Sequence, residues 1–168
     1  MSAVLIAAAA VLVNDPLAPA RKGQVQCYFP DLATKTCQGL ATYEQTGPSA
    51  YSSRSVLLID AAGPTTLETT STVRARGNAE CSMVRGSEAL AGKVIVDGRQ
   101  LPAREAKPTV ARIASNLAPV NGREVCIRYE PVEDGTLMGH VTIGGVRRAD
   151  LDQPIIWVNP SDGYSIAR

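Results

Sequence analysis

The sequence predicts an α+β domain: a mainly antiparallel sheet of about six or seven strands with one main helix packed on a face, and two disulfides. Three observations carry that expectation. Strand-like segments separated by turn residues recur along most of the chain, one segment has helical apolar spacing, and the cysteines number four. An even cysteine count behind an export-like leader points to paired sulfurs in an oxidising compartment.

The leader comes first. Residues 3–13 form an unbroken apolar run, Asn14-Asp15-Pro16 ends it, and Ala18-Pro19-Ala20 follows with the small-x-small pattern of a signal-peptidase site. At 1.5 Å per helical residue the run falls well short of the roughly 30 Å of a bilayer core, so it suits a leader better than an anchor. Charge order argues the other way. Met1-Ser2 carries no cation ahead of the run, whereas Arg21-Lys22 stands just past the expected cut. The alternative is a buried helix or strand with Asn14-Asp15-Pro16 as its turn. The expected organisation is residues 1–20 as a signal peptide and 21–168 as a single secreted or periplasmic domain with no membrane span after processing. Gln24-Val25-Gln26 ahead of Cys27 lacks the small residues of a lipid-attachment site.

Cys27 and Cys37 enclose the turn-rich Tyr28-Phe29-Pro30-Asp31, and their closeness in sequence pairs them, leaving Cys81 for Cys126. Segments 40–45 and 51–60 flank Thr46-Gly47-Pro48-Ser49 and read as a hairpin. Val56-Leu57-Leu58-Ile59 is apolar on both faces, which suits a covered strand near the middle of a sheet. Segment 65–75 alternates, placing Thr66, Glu68, Thr70, Thr72, Arg74 and Arg76 on one solvated face. Residues 87–92 make about one helical turn between serine and glycine, and 93–96 form a short strand closed by Asp97-Gly98.

The main helix is expected over 108–117, where Val110, Ile113, Ala114 and Leu117 share a stripe. A start at Pro102 would place Pro108 inside the helix at a cost of about 3 kcal/mol, so Pro108 is assigned to the first turn. Segments 123–130 and 137–143 pair around Glu133-Asp134-Gly135 as a second hairpin, and 155–158 is a final apolar strand carrying Trp157.

Function is less legible. A formal net charge of +1 and only seven aromatic residues argue against a nucleic-acid interface. No metal or cofactor site is expected: none of the cysteine spacings is Cys-x-x-Cys, and His140 is the only histidine. His140 falls on the strand face opposite Leu137, Val141 and Ile143, and no serine stands in a Gly-x-Ser-x-Gly setting, so no catalytic residue is assigned. Glu124, Glu130, Glu133, Asp134, Asp150 and Asp152 offer acidic pairs without a motif. Arg74, Arg76 and Arg85 form an anion-site candidate, against a solvated face balanced by Glu68, Glu80 and Glu88.

The expected function is a non-enzymatic binding or accessory protein of the periplasm or cell surface, its partner an envelope protein. One alternative is an envelope hydrolase using an acidic pair or His140. The other is an inhibitor of a secreted enzyme that docks through the Cys27–Cys37 loop with Tyr28 and Phe29, since a disulfide-held loop is preorganised.

Overall fold

Period-two alternation fills the chain, and the strands it makes close into a ring. The computed structural model describes residues 15–166; the apolar run 3–13 lies outside them. The strands are β1 (Val25–Tyr28), β2 (Thr36–Cys37), β3 (Gly39–Gln45), β4 (Ala50–Asp60), β5 (Thr65–Arg76), β6 (Ala79–Met83), β7 (Lys93–Val96), β8 (Arg99–Gln100), β9 (Glu124–Pro131), β10 (Leu137–Ile143), β11 (Val146–Arg147), β12 (Gln153–Val158) and β13 (Ser165–Ile166). Two helices, α1 (Gly86–Leu90) and α2 (Ala103–Leu117), lie between β6 and β9.

Eight of these strands, β1, β3, β4, β5, β6, β9, β10 and β12, each pair antiparallel with the next, and β12 pairs back onto β1. The result is a closed up-and-down barrel, which has no exposed edge along its wall. This corrects the expected α+β architecture of about six or seven antiparallel strands with one main helix packed on a face. The strands that sequence reasoning missed, β1 and β6, are two that close the ring. Both invert the usual polarity: Gln26 and Glu80 point inward while Cys27 and Cys81 point outward, so neither reads as an apolar-in strand.

The helices belong to an appendage on the long β4–β5 hairpin. Leu67 and Val94, from β5 and β7, pack there against Ala106 and Val110 of α2. Helix α2 begins after Pro102 and carries Pro108 inside it, so the expected start at 108 is also corrected. Burial of Ala106, on the N-terminal side of Pro108, extends the apolar stripe by a turn and offsets the hydrogen bond that the proline cannot donate.

Both disulfides form as paired from the sequence, and both lie on the outside of the wall. Cys27–Cys37 holds β2 against β1 and packs with Ile156 and Val158. Cys81 and Cys126 face each other directly across β6 and β9. Two such bonds accord with an oxidising periplasmic or extracellular setting.

Residues 15–22 close one end of the barrel. Leu17 is fully buried against Tyr51 and Val73. Asp15 accepts from the Leu17 backbone N–H at 2.9 Å, from the Tyr51 hydroxyl at 3.2 Å and from the Arg21 guanidinium, and Arg21 also donates to the Tyr51 oxygen at 2.8 Å. A cut after Ala20 would remove Asp15 and Leu17 from this arrangement.

Candidate ligand-binding mouth

An eight-stranded barrel is just wide enough to be filled by side chains or to hold one small molecule. Here both occur, at different heights. The middle is filled by a polar cluster. The Gln26 carbonyl oxygen accepts from the Tyr28 and Tyr43 hydroxyls, and its Nε2 donates to the Tyr129 oxygen at 2.8 Å. The Tyr43 hydroxyl lies 3.3 Å from Glu80 Oε2, and Tyr129 also hydrogen-bonds Glu80. Burial pushes the Glu80 carboxyl up to about 7, partly offset by the two phenols. Burial likewise raises the Tyr28, Tyr43 and Tyr129 phenols above their ordinary range, so they stay protonated as donors.

Above this cluster, at the end opposite Leu17, the barrel is open. A cavity of about 380 Å³ is lined by inward-facing Tyr28, Gly39, Ser55, Leu57 and Gln153 and by Phe29, Gln38 and Leu58 at the rim. Leu57 is 39% exposed and Phe29 41%. Phe29 takes a left-handed φ of 48° as the chain leaves β1, with its N–H tied to the Pro154 carbonyl at 2.9 Å, and this turn sets its ring at the rim. Gly39 keeps the entrance clear: a Cβ there would meet Leu57 Cδ2 at 2.5 Å.

The sequence reading of Val56 to Ile59 as a strand covered on both faces holds only in part, because Leu57 borders this opening. Gln38, Ser55 and Gln153 drew no notice in the sequence, having no motif; strand register alone gathers them. Glu80, read as balancing a surface arginine group, is instead inside the barrel.

The other candidates lie on the outer wall. His140 is held between carboxylates, Nδ1 at 3.0 Å from Asp152 Oδ2 and Nε2 at 3.1 Å from Glu130 Oε2, with Arg147 bound to Asp152. Both ring nitrogens are therefore engaged. The neighbouring Thr142 hydroxyl is turned to the Cys126 carbonyl at 3.4 Å. Arg74 and Arg76 share the outer face of β5 as expected, but Arg76 makes two 3.0 Å bonds to Glu124 while Arg85 binds Glu88 at 3.3 Å. The structure thus gives two of the three arginines separate carboxylate partners. Glu133 and Asp134 sit at the β9–β10 turn, and Asp150 pairs with Arg148.

Cys81, Glu124 and Cys126 stand close enough together to suggest a metal group among the described residues, but the two sulfurs are joined to each other. In the Cys27–Cys37 loop, Tyr28 is turned into the barrel, leaving Phe29 and Leu32 as its exposed large apolar residues. No protein-family model, curated protein or solved structure matches this chain.

Proposed function

We propose that the protein is a non-enzymatic binding protein of the periplasm or cell exterior that takes one small molecule in the open mouth of its barrel. The observation that carries this reading is the cavity of about 380 Å³ at one end of a barrel closed at the other, a volume within the range of small-molecule sites. Its lining combines apolar Phe29, Leu57 and Leu58 with a few polar groups, the usual composition of such sites.

The test is a fragment screen read by amide chemical shifts. Ligands should move Gly39, Leu57 and Gln153, and Leu57→Trp, which fills the mouth from a half-open position, should abolish those shifts. Hits that map to the outer wall, or that survive Leu57→Trp, would overturn the reading.

A second reading keeps the loop as an inhibitory element. Phe29 and Leu32, the latter 49% exposed, stand on a disulfide-held loop suited to docking. Phe29→Ala with Leu32→Ala should then abolish inhibition of a secreted enzyme with folding unchanged, and intact inhibition would remove the idea.

A further inference from the structure

We infer that the ligand of this mouth is a neutral amphiphile, with an apolar body against Phe29, Leu57 and Leu58 and an uncharged head that both donates and accepts hydrogen bonds; this rests on the mouth being the binding site. None of the lining residues is charged. The strand registers extend the observation through the barrel: from the eight wall strands, no lysine or arginine among the described residues points inward.

The ion pairs of Glu68 with Arg54 and Lys93 are on the outer face of β4, β5 and β7, opposite Ser55 and Leu57, and Asp152, next to Gln153, is bound by Arg147 on the outer wall. A carboxylate or phosphate entering the mouth would shed its water without meeting a cation, which is costly in a low-dielectric interior. A cationic head fares no better. The acid inside the barrel, Glu80, lies below the cavity and is already engaged by Tyr43 and Tyr129.

What the mouth does offer is neutral and two-way. The Gln38 and Gln153 carboxamides each present donors and an acceptor, and the Ser55 hydroxyl can act as either. An amide, a hydroxyl or a urea-like head satisfies such groups, and the leucines and the Phe29 ring cover the rest of the molecule.

Two fluorescent probes of like skeleton separate the possibilities: neutral phenylnaphthylamine and anionic anilinonaphthalene sulfonate, titrated into the full chain and into Leu57→Trp and Leu57→Lys variants. The expected result is saturable binding of the neutral probe, with the sulfonate about tenfold weaker because its charge finds no partner. Leu57→Trp should abolish binding of the neutral probe and Leu57→Lys should shift preference toward the sulfonate. If the sulfonate binds as well as the neutral probe and Leu57→Trp blocks both, the neutral class is overturned while the mouth stands. If neither probe binds, or binding ignores Leu57→Trp, the mouth itself is overturned as the site.

Discussion

Inside the barrel the Tyr43 hydroxyl and the Glu80 carboxyl oxygen meet at 3.3 Å, in a network where Tyr43 also faces the Gln26 carbonyl oxygen as a donor. A hydroxyl carries one proton, so Tyr43 divides it between the Gln26 carbonyl oxygen and Glu80. Tyr129, which accepts from Gln26, keeps its own proton for the Glu80 carboxyl. Burial favours the neutral carboxyl and the two phenols oppose it in part, with burial the larger effect.

The consequence for pH follows from the sign of that shift. An acid raised from 4.5 to about 7 on folding favours the folded state fully below its unfolded value. That contribution is lost as pH rises to 7. Chemical denaturation should show about 3 kcal/mol less stability at pH 8 than at pH 4.5 from this group, and Glu80→Gln should remove that slope. An unchanged slope in the variant would show that Glu80 is not the titrating group.

Glu68 acts with the opposite sign. Hydrogen bonds from the Arg54 guanidinium, and then from Lys93, hold its carboxyl well below the usual range. Its contribution is present above pH 4.5 and fades as pH falls toward 2. Glu68→Gln should flatten the acid limb while leaving the neutral-to-alkaline loss untouched, and the effect is modest because both cations are more than half exposed.

Leu17 fills the closed end, so Leu17→Ala should destabilise by about 2 to 5 kcal/mol, as for other fully buried leucines. A chain that starts at Arg21 should go further. It uncovers the end near Trp157, which residues Pro16, Ala18 and Pro19 now border, and the tryptophan emission should shift to the red. An unshifted spectrum would mean that the segment is not required there.

The two disulfides should differ in weight. The Cys81–Cys126 bridge spans 45 residues and the Cys27–Cys37 bridge 10. The chain-entropy estimate gives about 4 kcal/mol for the longer and about 3 for the shorter. Replacing each pair by alanine and measuring denaturant midpoints checks the order; equal or reversed losses would show that native contacts, rather than loop closure, set their value.

The hairpins β3–β4 and β9–β10 and the solvated face of β5 were readable because their apolar positions alternate across local turns. Ring closure was not. It depends on β1 meeting β12, whose residues are far apart in sequence, and on β1 and β6 presenting glutamine and glutamate inward with cystine sulfur outward. A rule that seeks apolar residues inside passes over both. Helix α2 misled through Pro108, where propensity placed a boundary and burial of Ala106 overrode it. The cavity residues Gln38, Ser55 and Gln153 come from three places in the chain and share no spacing, so only the register of the folded wall assembles them.

With Leu17 sealing one end and the Gln26–Glu80 cluster filling the middle, the proposed site has a single door among the described residues. An incoming molecule cannot push out an occupant from behind, so release must precede replacement, and the off-rate measured by displacement should not depend on how much competitor is added.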